Sequence, residues 1–511
     1  MMRPRTSTAT RDGIRRRILH GPLGAVVAVW LAAGSPLGAA GILIDGIHAN
    51  DLTTAGLGPE VFEYHQTTGY RRLFEYLRWR GVVCERVTEG RLDAERLARY
   101  RLLFINLVSS ERPPFLVSEI AAIRSFVSGG GSLLAITDHS NCYFHAYRLQ
   151  PLLAELDVES FTATACDEPP HTLGDGKGWI AVTRFKPHPV TAGLECLALQ
   201  TGGCVDPRFA VALTGPLSWA DAWSTGSYGQ QNAPGFFGNF RRDPGEPSGP
   251  LGVVMAKQLG RGRIVVIGDQ NMLGESFVNY ADNYRLWLNA MAWLLDQESL
   301  RQVQPYLGWR SPRILCYEQY DRPVFGTPDP DGCYHAWVLL NRTRWAFAGD
   351  RVSDGWDLIV FAYNDGELPA KAAAAVAAHL GRGKNVVVLN AQSETLGEKS
   401  GVVGQVLKAM GVARPERHAQ DGKLILKLPA AGSIHVLGPD RLLDNWVLPP
   451  PTRPPNDAEK QRNRELLDAV RDALATPARR PSASSACAAR AWNRWRTTLS
   501  VTVIPGDGRG S

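Results

Sequence analysis

Two stretches of this chain follow one plan. YRLLFINLVSSERPPFLVSEIAAIRSFVSGGGSLLAIT (100–137) runs from an apolar strand-like segment through a helical one to three glycines and a second apolar segment. WDLIVFAYNDGELPAKAAAAVAAHLGRGKNVVVLN (356–390) repeats that order and spacing. Short, uniformly apolar runs alternating with segments of helical period indicate strands buried on both faces, which is the pattern of a parallel sheet covered by crossover helices. The recurrence indicates an internal duplication of one α/β unit.

The surrounding segments extend both copies. Gly41–Asp45 reads as the first strand, Gly69–Arg80 as a helix, Arg101–Leu107 as a second strand, Val117–Val127 as a helix stopped by Gly129-Gly130-Gly131, and Ser132–Ile136 as the next strand. In the second copy Pro312–Cys316, Trp356–Phe361 and Asn385–Leu389 take the strand roles, and Lys371–Leu380 is an alanine-rich helix closed by Gly381-Arg382-Gly383. The first copy carries a long insertion, about 157–250, rich in Gly, Pro, Trp and Asn. It returns to the sheet through Leu251–Ala256 and Arg263–Ile267, followed by a helix over Asn279–Leu295. The domains expected are therefore 41–300 with its insertion and a degenerate copy over 312–475 that includes a charged helix from Asp457 to Leu474. A tail, 476–511, has a composition too poor in apolar residues to bury a core and is expected to be disordered.

The ends differ from the middle. Arg15-Arg16-Arg17 precede an eleven-residue apolar run, GAVVAVWLAAG, and then Gly38-Ala39-Ala40. Basic, apolar and small-residue regions in that order form an export signal cleaved near Ala40, and the run is too short to span a bilayer comfortably. The expected location is therefore periplasmic or extracellular, with no stable membrane span after cleavage. Much of the formal net charge of +6 sits at the two termini. The middle is near neutral, so no nucleic-acid partner is expected. Eight sparse cysteines without a C-x-x-C spacing exclude a zinc ribbon. Cys196 with Cys204, or Cys316 with Cys333, are in range for a small disulfide loop, and buried free thiols are the equal alternative.

Three stretches carry a resemblance to a known group. Gly129–Leu134 leads into Thr137-Asp138-His139-Ser140-Asn141; Pro187-His188-Pro189-Val190-Thr191-Ala192-Gly193-Leu194 follows; and Gly260–Asp269, GRGRIVVIGD, precedes the Asp282-Asn283 helix. These resemble the class I glutamine amidotransferase-like (flavodoxin-like) superfamily, and in particular a bacterial branch of it that is not amidotransferase and is described only as a domain of unknown function. The resemblance spans about 42–295 and, more faintly, 312–475. It implies an α/β fold class of tandem flavodoxin-like parallel-sheet domains. A true amidotransferase of this class places its nucleophilic cysteine in a glycine-flanked elbow after the strand that ends here at Ile136. Thr137-Asp138-His139 stand there instead, and Leu389-Asn390-Ala391 in the second copy. Hydrolysis of glutamine is therefore not expected, and no catalytic residue is assigned.

In open α/β sheets ligands bind beyond the carboxyl ends of the strands. The polar residues at those positions are His48 and Asp51 after the first strand, Asp138, His139 and Asn141 after the third, and Asp269 and Asn271 after RIVVIG; His65 precedes the first helix. The expectation is one exposed ligand-binding rim made from these eight. The plainer alternative is that Asp138 or Ser140 only caps the following helix. No cofactor is predicted, because no pair of metal ligands shares a helix face; a divalent metal on the histidines and carboxylates is the alternative. Cys142 and His145 would share a helix face, which reads as chance spacing rather than a nucleophile and its base. His188, between two prolines, reads as part of a rigid turn. The aromatic residues of the insertion, from Trp219 and Trp223 to Phe240, suit sugar stacking but fit better as packing of a large loop onto the sheet. The function expected is a non-catalytic binding or scaffold protein of the cell envelope, with a carbohydrate or small-molecule ligand or an envelope protein as partner. A hydrolase using the polar or metal-binding rim is the alternative.

Overall fold

The computed structural model describes residues 41–50, 69–223, 237–302, 313–342, 346–391, 401–420, 423–429, 431–438, 443–451 and 453–475. The expected leader and tail, with Asp51 and His65, lie outside the described residues.

In the first copy the strands are β1 (Gly41–Asp45), β2 (Val83–Val87), β3 (Leu102–Ile105), β4 (Ser132–Ile136), β5 (Ala163–Cys166), β6 (Thr172–Leu173), β7 (Gly176–Val182), β8 (Arg184–Phe185), β9 (Leu197–Gln200), β10 (Ala210–Leu213), β11 (Trp219–Ala222), β12 (Gly252–Leu259) and β13 (Gly262–Ile267). The main sheet has the order β2-β1-β3-β4-β13-β12-β10-β8. Its first five strands are parallel, and the remaining three extend it antiparallel. The second copy contributes β14 (Ile314–Tyr317), β15 (Ala346–Gly349), β16 (Leu358–Phe361), β17 (Asn385–Val388), β18 (Glu416–Gln420), β19 (Lys423–Lys427) and β20 (Ser433–Leu437). Their order is β15-β14-β16-β17-β20, all parallel, followed by antiparallel β19 and β18. Each parallel core thus runs 2-1-3-4-5 in its own chain order, the flavodoxin-like arrangement. The two copies share this topology and differ in the insertion.

Helices α1 (Arg71–Trp79), α2 (Val117–Ser128), α3 (His145–Glu155) and α4 (Asn283–Leu295) cover the first sheet; α5 (Tyr334–Asn341), α6 (Ala370–Gly381), α7 (Val402–Ala409) and α8 (Asp457–Ala475) belong to the second copy. Alternation along the strands sorts the core into two layers. Leu134 and Ile136 pack with Phe74 of α1 and Trp287 of α4, whereas Leu133 and Ala135 pack with Ile123 of α2 and Leu152 of α3. Trp287 is the hub of the first layer, its ring centroid 5.5 Å from that of Phe74 and 5.9 Å from that of Phe104.

Four features depart from the sequence expectations. The edge strands β2 and β15 went unread, because VCERV alternates with polar residues and AFAG is short and built of small residues. The β18–β19 hairpin and β20 went unread for a similar reason, since their alternation is half polar. Helix α4 starts at Asn283 rather than Asn279, because Tyr280 bridges to Ala348 and Ala281 takes a φ of +49°. The insertion is more than a loop. Its β5–β11 and β6–β7–β9 form two small sheets, and β8 and β10 lengthen the main one. The seven described cysteines are free thiols, Cys196, Cys204, Cys316 and Cys333 among them. Among the described residues no helix is long and apolar enough to cross a membrane.

The copies are tied by a buried polar lock. Arg72 of α1 donates from Nη1 to Asn341 Oδ1 (2.9 Å) and from Nη2 to the Asn341 carbonyl (3.1 Å). Asn341 Oδ1 also accepts from Asn279 Nδ2 (3.0 Å), and Asn341 Nδ2 donates to the Glu275 carbonyl (3.0 Å).

Candidate functional site

The loop after β4 turns back on itself instead of entering a helix directly. Ser140, Tyr143 and Phe144 all have φ between +46° and +62°. For residues with a Cβ this region costs of order 1–3 kcal/mol each and persists where the surroundings impose it. The folded-back loop brings ligand atoms of Asp138, His139 and Cys142 within 4.8 Å of one another, and all three residues are buried. Asn141 Oδ1 accepts from the Ala146 N–H (3.1 Å), so Asn141, rather than Asp138 or Ser140, caps α3. Its Nδ2 is buried without a hydrogen-bond partner among the described residues.

His145 holds the loop together. Its Nε2 accepts from the Asp138 N–H (3.2 Å), and its Nδ1 lies 2.9 Å from the Cys142 carbonyl. These partners fix the neutral tautomer with the proton on Nδ1. Burial lowers the pKa of His145 to about 4, so it stays neutral. The Cys142 sulfur is 3.7 Å from that same Nδ1, whose proton is committed to the carbonyl. Burial, and then the charge of Asp138, push the Cys142 thiol well above its usual range. The pair is therefore not an activated nucleophile. His139 is also neutral, lowered to about 3 by burial and then by His145. It lies 2.6 Å from Ser140 Oγ through Nδ1, and the Phe237 ring of the insertion sits 4.5 Å from its centroid.

Asp269, at the end of β13, faces the same loop. It accepts from the N–H groups of Gln200 (2.6 Å), Asn271 (2.6 Å) and Met272 (3.1 Å). Burial raises its pKa to about 6. Asp138 is raised by burial and then by the charge of Asp269. Asn271 lies beside this loop, its Nδ2 3.4 Å from the Gln200 carbonyl. The insertion presses onto the site at Gly202-Gly203. A Cβ at Gly203 would collide with the Asp138 carbonyl, and one at Gly202 would come 2.7 Å from the Asp269 Cβ. From β3, Leu107 packs against Cys142. Asn106 beside it is 1% exposed, with neither end of its amide partnered among the described residues.

The expected rim is corrected in two ways. Its described residues other than the half-buried Asn271 are buried, not exposed: Asp138 is 4% accessible and Asp269 0%. His48 is not one of the three clustered donors. Its Nδ1 pairs with Asp45 (3.0 Å) and its Nε2 with Glu119 of α2 (3.4 Å), and it stacks on Phe115 at 4.1 Å. It clasps the β1 loop to α2. Of the residues expected on the rim, the structure gathers Asp138, His139, Asn141, Asp269 and Asn271. Cys142, Leu107, Gly202, Gly203 and Phe237 were not read as part of it. The Gly202-Gly203 doublet was the available signal, because adjacent glycines between strands mark a close backbone approach. His188 does sit in a turn, its Nδ1 accepting from Val190 N–H (3.1 Å). Trp219 is buried, in keeping with a packing role, whereas Phe237 covers the site.

In the second copy the position corresponding to Asp138 holds Asn390, which takes a positive φ (+45°). Its amide serves the fold, accepting from Leu443 N–H (2.7 Å) and donating to Cys333 Sγ (3.5 Å).

No known protein family matches the sequence, and no curated protein matches it. Solved structures do match parts of it at low similarity. The mmIFT52 N-terminal domain has 15% identity and a TM-score of 0.36, covering 50% of this chain and 97% of its own. A cytoplasmic protein of Salmonella typhimurium LT2 has 14% identity and a TM-score of 0.29, covering 50% and 99%. A ThuA-like protein of Bacteroides uniformis has 14% identity and a TM-score of 0.31, covering 52% of this chain and 96% of its own.

Proposed function

We propose that this is an exported ligand-binding protein of the cell envelope, a degenerate member of the non-amidotransferase branch of the amidotransferase-like superfamily. Its first copy holds the pocket, and its second copy is a scaffold that supports the first and offers a docking surface to an envelope partner. The observation that carries the reading is the asymmetry between the copies. The first gathers Asp138, His139, Cys142 and Asp269 at the strand ends, whereas the second fills the matching place with Leu389-Asn390-Ala391. A buried polar cluster is expensive unless a partner satisfies it. The buried carboxyls of Asp138 and Asp269 and the unpartnered Nδ2 of Asn141 favour a small polar ligand, such as a sugar, that both donates and accepts hydrogen bonds.

A hydrolase is the second reading, favoured by the two buried carboxylates, Asp138 and Asp269, whose pKa values are both raised. The test is a thermal-shift screen of sugars and small polar metabolites on the wild type and on Asp138→Ala. A compound should raise the melting temperature of the wild type and do so at least about tenfold less tightly in the variant, as losing a hydrogen bond to a bound ligand predicts. A screen in which every compound acts equally on both proteins overturns the pocket.

A further inference from the structure

We propose that Asp138, His139 and Cys142 form a three-ligand site for a divalent transition metal, with zinc the ion their donors suit best and a fourth position left for water or a ligand oxygen. The proposal rests on the pocket reading above and names what occupies its floor.

The first argument is geometric. Three donors of different chemistry, a carboxylate, an imidazole and a thiol, lie within 4.8 Å of one another in a buried loop. Donor atoms around one tetrahedral ion, at bond lengths of about 2.0–2.3 Å, stand roughly 3.3–3.8 Å apart. The observed limit of 4.8 Å is about 1 Å wider than that, so the donors would have to draw together to close on an ion. The second is charge. Asp138 and Asp269 are both buried, and among the described residues no arginine or lysine acts on either. A buried carboxyl stays ionised when a cation, N–H donors as at Asp269, or a metal stabilises it, and a metal would supply the missing cation at Asp138. The third is independent of the ligands. Within the same loop Asn141, 4% exposed, has an Nδ2 without a partner among the described residues. Amides of this kind are placed to bond a metal-bound water or the ligand that replaces it.

The donor set also selects the ion. A thiolate with an imidazole and one carboxylate suits zinc or its softer neighbours and disfavours magnesium and calcium, which take oxygen cages. His145 is not a fourth ligand, because both its ring nitrogens are committed, to the Asp138 N–H and the Cys142 carbonyl. It orients the loop instead. The strained φ at Ser140, Tyr143 and Phe144 places Cys142 back over Asp138, which a regular helix starting at Ser140 would not do.

The experiment uses the full chain, stripped with a chelator, dialysed and titrated separately with zinc and with cobalt(II). The expected result is one bound metal per chain. The cobalt form should show a near-ultraviolet sulfur-to-cobalt charge-transfer band, which is absent in Cys142→Ser. Asp138→Asn and His139→Ala should each weaken zinc binding by about 10–100-fold. Cys84→Ser, a control thiol outside the cluster, should keep both the stoichiometry and the band. Circular dichroism reports whether each variant is folded. If a variant fails to fold, the wild-type spectrum with and without alkylation of Cys142 answers the same question. Folded wild type that takes up less than about 0.2 equivalents of zinc overturns the site, as does a band that survives in Cys142→Ser. A sugar-induced thermal shift that persists undiminished in chelator, with no zinc bound, also overturns the metal while leaving the pocket standing. Stoichiometric zinc on Cys142 sustains the metal even if no organic ligand is found.

Discussion

Asn341 offers the most direct test of how the two copies are joined. Its side chain is fully buried and makes three bonds across the boundary, accepting from Arg72 and Asn279 and donating to the Glu275 carbonyl. In Asn341→Ala, Arg72 keeps the backbone carbonyl of residue 341, and Asn279 keeps the Ala346 carbonyl. What is lost is one acceptor for a buried guanidinium and one donor for a buried carbonyl. Leaving a buried group unsatisfied costs about 1–3 kcal/mol, with charged groups at the upper end. The expected destabilisation is therefore about 3 kcal/mol. At about 2–4 °C per kcal/mol for a domain-sized unit, the melting temperature should fall by roughly 6–12 °C. Urea denaturation and calorimetry of the full chain measure both quantities. Asn341→Asp retains the acceptor for Arg72 and should recover part of the loss. A decrease below about 1 kcal/mol in Asn341→Ala, or an aspartate variant no better than the alanine one, would refute the view that the amide satisfies the buried cation.

Two further outcomes are expected. Burial lowers the His48 pKa, but its bonds and charge interactions with Asp45 and then Glu119 outweigh this and raise it above the ordinary 6.5. A raised pKa in the folded state gives stability that is fully present below about pH 6.5 and is lost as pH rises through the folded value; the buried carboxyls Asp138 and Asp269 add a fall of their own, so melting temperature measured across that window should fall more steeply in the wild type than in His48→Gln, and equal slopes would sink the argument. The export reading predicts that mature protein begins at Gly41, so amino-terminal sequencing that finds Met1 on protein recovered from the envelope would count against it.

The sheet was legible because its central strands have no exposed face. LLFI (102–105), LLAI (133–136) and IVVI (264–267) are apolar throughout, and the glycines after α2 and α6 mark where each crossover ends. The edges were not legible. VCERV and ERHAQ carry polar residues on their outer faces, so they lack the continuous apolar run that marks a buried strand. The site was half legible. Topology pointed to Asp138, His139 and Asp269, because position in the chain order of a parallel sheet fixes which loops share an end. The same rule placed His48 there wrongly, because it predicts a loop's location and not its hydrogen bonds; Asp45 and Glu119 captured the ring. Cys142 was discounted on helical spacing, since nothing in the string DHSNCYFH announces three residues at positive φ. Leu107 and Phe237 come from segments distant in sequence, and only the folded chain brings them to the loop.

The insertion also sets a clock on assembly. In the first copy Thr137 bonds Ile267 at a separation of 130 residues, whereas in the second Asn385 bonds Ser433 at a separation of 48. Closing the longer loop costs only about 0.9 kcal/mol more in chain entropy. The delay is larger in time than in free energy. At about 5–20 residues per second of synthesis, the outer edge of β4 waits roughly ten seconds for its partner strand, and that edge reads SLLAI. An unpaired, largely apolar strand edge is a template for pairing with another chain. The first copy should therefore be the one that needs a chaperone, and shortening the insertion should reduce aggregation of nascent chains more than it changes the stability of the finished sheet.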